Sequence, residues 1–282
     1  MKEFNGRVAV ITGGASGLGR AMAGRFAREG MKIVLADVNA GDLDRTEREL
    51  RAAGASVIGV RCDVAVAEDV EALAAQALAA FGAVHLVANN AGVSPLGNVW
   101  ENSVADWQWT LGVNLWGVIH GVRVFIPILL AQGTECHIVN TASVSGLICP
   151  PGLGLYNVSK HAVVALTETL HHDLAQQGAR VKCSVLCPAY VPTGIADSER
   201  NRPAELAGPR RAKTAEDLAR EAGLKKAVER GRLTAADVAQ TVFEAVRDER
   251  FYILTHPKIM GAVQARMQDI LSGADPRDPL AL

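Results

Sequence analysis

Seven short runs of apolar and β-branched residues recur along the chain, and longer segments of helical period separate them. The runs are RVAVIT (7–12), KIVLAD (32–37), SVIGVRC (56–62), VHLVAN (84–89), CHIVNT (136–141), VKCSVLC (181–187) and FYILT (251–255). The segments between them are Ala-rich, as in LGRAMAGRFAREG and AEDVEALAAQALAAFG, and many stop at a glycine, a common helix terminus. A strand that is apolar on both faces must be covered on both faces. Such strands alternating with helices predict an α/β fold, a doubly wound parallel sheet of about seven strands. A chain of 282 residues with 49% hydrophobic residues supplies one large core, and we read residues 1–282 as one domain.

Two regions break the rhythm. From Trp107 to Gln132 the sequence is apolar nearly all round, with Pro127 inside it. A helix of that kind must be covered on every side, by its own core or by another subunit. The segment 194–232 is rich in charge, including Arg200, Arg202, Arg210 and Arg211 with Pro203 and Pro209, and reads as an inserted helical lid.

Charge and cysteine content narrow the function classes. Lys+Arg total 29 and Asp+Glu 30, so the basic excess of a nucleic-acid or membrane-surface binder is missing. No stretch holds the roughly 18 uninterrupted apolar residues of a membrane span, and the first residues lack a signal-peptide layout. The five cysteines show no C-x-x-C spacing, so free buried thiols, no metal and a cytoplasmic location are expected.

The first strand runs into TGGASGLG (12–19), where Thr12, Gly13, Gly17 and Gly19 form T-G-x-x-x-G-x-G. Glycines let a backbone approach a pyrophosphate, and the helix that follows offers unpaired N–H groups at its positive end. The second strand ends in Asp37, where a carboxylate can accept both ribose hydroxyls of an adenosine and repel a 2′-phosphate. This favours NAD over NADP, with Arg20 as the one nearby cation that argues the other way.

LYNVSKHAVV (155–164) carries Tyr156 and Lys160 one helical turn apart, hence on one face. Together with TGGASGLG, the Asp37 strand end, CDV (62–64), NNAG (89–92), the Asn of VNLWG (113–117), the Ser of NTASVSG (140–146) and CPAYVPT (187–193), all in order, the chain resembles the single-domain branch of the short-chain dehydrogenase/reductase family. The resemblance covers nearly the whole chain. It implies a Rossmann-like fold and a nicotinamide-dependent alcohol/ketone oxidoreductase, with Tyr156 as general acid/base, Lys160 tuning it and binding the nicotinamide ribose, Ser143 holding the substrate oxygen, and Asn114 kinking its helix and supporting a proton relay. It also implies cofactor contacts from Gly13, Ser16, Gly17, Leu18, Gly19, Asp37, Asp63, Val64, Asn89, Ala91, Gly92, Pro188, Val191 and Thr193. Ala189 stands where the family often has glycine.

A free phenol has a pKa of about 10. A lysine charge at about 4–5 Å, in an effective dielectric near 20, is worth roughly 3–4 kcal/mol, enough to bring Tyr156 down by two to three units at most. Substrate walls are expected at Val144, Leu153 and the rest of 149–155, Ser94–Pro95–Leu96, Tyr190 and the lid. They are mostly apolar, with the lid arginines as an alternative carboxylate site. The competing readings are an NADP-dependent ketoreductase, a non-catalytic dinucleotide sensor, and a dehydratase or epimerase on the same fold. The apolar helix near Leu115–Leu130 and the 158–174 helix predict a homo-oligomer, a dimer or tetramer.

Overall fold

Neighbouring residues of a strand point to opposite faces of its sheet, and here both sets are apolar. The computed structural model describes residues 1–207 and 214–281. Pro209, Arg210 and Arg211 of the arginine-rich segment lie outside the described residues. Seven parallel strands, β1 (Val8–Thr12), β2 (Lys32–Asp37), β3 (Val57–Arg61), β4 (Leu86–Asn89), β5 (Cys136–Thr141), β6 (Val181–Cys187) and β7 (Tyr252–Leu254), form one sheet in the order β3-β2-β1-β4-β5-β6-β7. All seven lie where the apolar runs place them, shorter by one or two residues at some ends.

Ala9, Ile11, Ile33, Leu35 and Leu86 face one way and pack on α1 (Gly17–Ala27), α2 (Ala40–Ala52) and α8 (Ala235–Asp248) through Phe26, Leu43 and Phe243. Val8, Val10, Val34, Val87 and Ile138 face the other way, onto α3 (Ala67–Phe81), α5 (Gly117–Ala131) and α6 (Gly154–Gln176) through Leu73, Phe125 and Leu170. The other helices are α4 (Val104–Leu111), α7 (Ala215–Glu229) and α9 (Met260–Ser272). The doubly wound sheet is therefore a consequence of two-faced strands. Its order reverses between β1 and β4, and the crevice at such a switch point is where open α/β sheets bind ligands.

The apolar segment flagged in the sequence runs from α4 into α5 through a π-helical stretch, Gly112–Trp116, centred on Asn114. One turn is widened there, which brings the Asn114 amide to the Val93 backbone: Oδ1 accepts from Val93 N (2.8 Å) and Nδ2 donates to Val93 O (2.9 Å). The helical run Val104–Ala131 is long and apolar enough to cross a membrane by length and composition, a length the count of uninterrupted apolar residues did not anticipate. In the fold, its Phe125 and Leu129 are completely buried in the sheet's core, whereas Trp116 is half exposed. Four of the five thiols are buried as expected. Cys149 is the exception: it sits exposed in a surface loop beside His161.

Two buried imidazoles join strands. His137 Nε2 lies 2.7 Å from Ser184 Oγ, whose own proton is given to Arg250 O (2.6 Å), so His137 donates from Nε2. His85 accepts the Val8 N–H at Nδ1 (3.2 Å), a bond that protonation would break. Burial lowers His137 to about 3 and His85 to about 4, with Arg7 adding to the effect at His85. Both values lie below the ~6.5 of an imidazole in the unfolded chain. The stability gained from the neutral rings is thus complete above about pH 6.5 and is lost as the pH falls toward 4. Thermal unfolding followed by circular dichroism is expected to show the melting temperature falling steadily from pH 7 to about 4.5, with a shallower fall in His137→Gln. A melting temperature unaffected by pH over that range would contradict the assignment.

Candidate active site

The C-terminal ends of β1, β2, β4, β5 and β6 open onto a cleft of about 440 Å³. At β1, Gly13 and Gly17 have positive φ (62° and 52°), which a side chain would strain. A Cβ on Gly13 would come within 3.0 Å of Ala91 Cα, and one on Gly19 within 2.1 Å of the Gly13 carbonyl oxygen. The turn is therefore closed by packing that only glycine permits. Ser16, the N-cap of α1, makes no side-chain cap, so no side chain of its own occupies the positive end of that helix. This backbone surface suits a phosphate.

Asp37 caps the other side of the turn. Its Oδ2 accepts from Ala15 N (3.0 Å) and its Oδ1 from Asn39 N (3.0 Å), so backbone bonds fix a carboxylate at the cleft wall. Arg20 does not line the cleft; it is paired with Glu49 on the protein surface. Asp63, Val64, Ala91, Gly92, Pro188, Val191 and Thr193 line the same cleft, as do Gly13, Ser16, Gly17 and Leu18. These donors and shapes fit an adenine dinucleotide: Asp37 for the ribose, the 13–18 turn for the pyrophosphate, and the 188–193 stretch beside the far end.

Three of the site residues singled out in the sequence, Gly19, Asn89 and Asn114, do not line the cleft. Gly19 stands behind the turn, where its lack of a side chain makes room for Gly13. Asn89 is buried beneath the sheet ends and donates to Asn140 Oδ1 (2.9 Å), which in turn donates to Thr167 (3.1 Å). Its neighbour Asn90 lines the cleft instead. Asn90 Nδ2 donates to Thr12 O (3.0 Å), and the Asn90 and Ala91 N–H groups both reach Thr12 Oγ1 (2.9 and 3.1 Å), stitching the glycine turn to the β4 loop. The strand parity of NNAG separates these two asparagines, a signal the sequence contained.

At the inner end, Ser143, Tyr156 and Lys160 converge. Ser143 Oγ donates to Pro188 O (3.3 Å) and accepts from Ser145 N (3.2 Å). Lys160, only 2% exposed, donates to Thr141 O at the end of β5 (2.8 Å), with its Nζ 5.5 Å from the centre of the Tyr156 ring. Asn114 Nδ2 also donates to Ser159 Oγ (3.0 Å), so the Asn114 side chain braces the segment next to Lys160.

The electrostatics differ from the sequence-based expectation of an acidified phenol. Burial pushes Tyr156 up to about 12, only partly opposed by its hydrogen bond with Ser143, and burial pushes Lys160 down to about 8. Desolvation penalises phenolate and ammonium alike. In the protein alone burial sets the direction of both shifts, and Tyr156 rests as a neutral phenol.

The outer walls hold Val144, Leu153 and Tyr190, as expected, with Ser94 but without Pro95 or Leu96. Leu224 and Val228 of α7, in the expected lid, join them, as do Gln108 of α4, Leu280 near the C-terminus, and Trp109 of α4, for which the sequence favours a core or subunit-contact role. Leu224 and Val228 are an i, i+4 apolar pair on an otherwise charged helix, a legible signal; Leu280 carried none.

The comparisons with known proteins decide the family. The model of the short chain dehydrogenase family matches residues 7–204. This chain belongs to the short-chain dehydrogenase/reductase family. A crystal structure of a family member from Burkholderia phymatum, solved in complex with NAD, is 58% identical, with a TM-score of 0.98 over 100% of both chains. The CLA biosynthesis dehydrogenase/reductase of Lactiplantibacillus plantarum is 35% identical over 281 residues, 98% of this chain and 97% of the relative. The 1-deoxy-11-beta-hydroxypentalenate dehydrogenase of Streptomyces exfoliatus is 36% identical over 266 residues, 94% and 88% of the two chains. The chain is thus an oxidoreductase of a family whose members act on hydroxyl or keto substrates.

Because a Cβ at residue 19 collides with backbone, Gly19→Ala is expected to weaken dinucleotide binding by at least ~10-fold in a fluorescence titration. Gly223→Ala, on α7 with nothing within 4 Å of the added atom, serves as the control that leaves binding intact. Equal affinities in the two variants would show that the turn does not hold the ligand.

Proposed function

We propose that this protein transfers a hydride between NAD(H) and a secondary alcohol or ketone, with Tyr156 as the proton-transferring group. The observation that carries this reading is the convergence of Ser143, Tyr156 and Lys160 at the inner end of a cleft whose other end presents Asp37 and an uncapped helix N-terminus. NAD is the cofactor supported by the Asp37 carboxylate, by the diversion of Arg20 to Glu49, and by the NAD-bound relative. When bound, the dinucleotide supplies the hydride acceptor or donor at its nicotinamide ring.

The residues of the chain divide the remaining work. Ser143 and Tyr156 hold the substrate oxygen between two hydroxyls. In oxidation, the alcohol carbon gives up its hydride while the hydroxyl proton passes to the Tyr156 oxygen. In reduction, the Tyr156 phenol gives its proton to the oxygen as the carbonyl carbon gains the hydride. Lys160 holds positive charge beneath the phenol and can reach a ribose hydroxyl, and Asn114 braces the helix turn around it. A neutral resting phenol is in the correct state for reduction, while oxidation requires that proton to leave first.

The 194–232 segment acts as a lid over the substrate end within one domain spanning 1–282. Two copies of the chain associate through the half-exposed apolar residues of the 112–131 helix and α6, Trp116 and Val158 among them. A concentration-independent monomer in light scattering would remove that association.

Tyr156→Phe is expected to lower turnover by about 10²–10⁴-fold while the affinity for NADH, measured by fluorescence, stays within a factor of about two. Near-normal turnover would remove Tyr156 from the chemistry. Because burial raises Tyr156 and lowers Lys160, alcohol oxidation should accelerate between about pH 7 and 10 and ketone reduction should not. Stopped-flow rates in which oxidation fails to accelerate over that range, or reduction accelerates with it, would contradict this reading.

A further inference from the structure

Resting on the reading above, the structure also bears on what the substrate must be. The cleft that holds Ser143 and Tyr156 is also lined by Trp109, Ile148, Leu153, Leu206, Leu224 and Val228, an apolar set that we treat as its substrate compartment. The helix α7 contributes to it in an unusual way. Seven of its fifteen residues are charged, yet Val228 is its one buried residue among those described, and Leu224, a turn earlier, joins it on the cleft wall. A solvated helix that spends its apolar pair on a cavity is shaped for an apolar occupant.

The charged groups nearby are already committed. Arg202, whose side chain is 5% exposed, gives Nε and Nη2 to the two Glu199 carboxylate oxygens (3.0 and 2.8 Å), Nη2 also to Asp106 (2.8 Å), and Nη1 to Leu206 O (3.3 Å). Its guanidinium lies over the Trp109 ring, 4.2 Å from the centre. This arginine bolts the lid to α4 and fixes the tryptophan wall, leaving no fork for a substrate carboxylate. Arg220 pairs with Glu216 at 2.8 Å. Arg200, which lines the cleft, donates through Nη1 to Gly194 O and Asp197 O (both 2.9 Å), so it is tied to the lid backbone, and Glu205 lines the same cleft.

We propose that this compartment holds the uncharged, apolar body of a bulky secondary alcohol or ketone, and that Arg200, Arg202 and Arg220 are fasteners of the lid, not receptors for a substrate acid group. The specificity falls to the Leu224–Val228 face, with Trp109 opposite and Arg202 as the positioning residue behind it.

The test titrates the NAD⁺-saturated protein calorimetrically with 2-butanone, 2-hexanone, 2-decanone and 9-oxodecanoate, the last being 2-decanone with a carboxylate in place of its terminal methyl. The same ketones are then assayed with NADH. Each buried methylene should tighten binding about three- to fourfold, from ~0.8 kcal/mol per CH₂, so 2-decanone is expected to bind at least ~30-fold more tightly than 2-butanone. Its acid analogue should bind at least ~10-fold more weakly than 2-decanone. Leu224→Lys should move the 2-decanone to 9-oxodecanoate ratio toward the acid by at least ~10-fold, and Leu224→Ala should lower 2-decanone affinity a few-fold without favouring the acid. A flat series, a preference for the acid in the wild type, or no binding of any ketone overturns the compartment assignment. Turnover of every ketone with no dependence on chain length overturns it while leaving the hydride-transfer reading intact. Graded binding with no turnover upholds the compartment and defeats that reading instead.

Discussion

A lysine ammonium buried to 2% exposure is the constraint around which this site is organised. Charge in a protein interior is costly unless it is paired, and among the described residues no carboxylate pairs with Lys160. Its support is a strand-end carbonyl, that of Thr141, with the Tyr156 ring to one side. The π-helical turn at Asn114 and the bond from Asn114 to Ser159 brace the segment that carries it. A cation held this way strains toward losing its proton, and the phenol beside it strains toward keeping its own. Their opposed shifts come from one cause, exclusion of water.

That balance changes what the pair can mean. Tyrosine and lysine a turn apart look, on paper, like a device for acidifying a phenol, and a Coulomb estimate at short range agrees. The folded chain adds the desolvation that the estimate leaves out, and the larger effect wins. What the fold provides without a ligand is a protonated acid poised to donate, plus a latent base. The dinucleotide end supplies a rigid frame for this chemistry. Thr12, Asn90 and Asp37 lock the glycine turn to its neighbours.

Most of the architecture was legible because it rests on patterning. Two-faced apolar strands dictate a covered parallel sheet, and the glycines and Asp37 mark its ligand edge. Several features were not, and each for a physical reason. Asn89 and Asn90 share one motif, which hides their difference, and only strand parity, which the sequence did contain, divides their roles. Gly19 acts through the room it leaves for Gly13 rather than by contact. The walls formed by Trp109 and Leu280 depend on long-range packing that no local motif encodes. The arginines of the lid looked like an anion site because composition shows charge without its partners. Glu199 and Asp106 complete Arg202 only in three dimensions.

The central claim is that burial, not Lys160, sets the protonation of Tyr156 in the protein alone. The chain has three tyrosines, so a variant carrying Tyr190→Phe and Tyr252→Phe isolates the third for a ¹³Cζ-tyrosine NMR titration. The account predicts a Tyr156 resonance that shows no ionisation below about pH 11 without ligand and titrates at lower pH once NAD⁺ is added. A phenol that ionises near neutral pH in the ligand-free protein would contradict it.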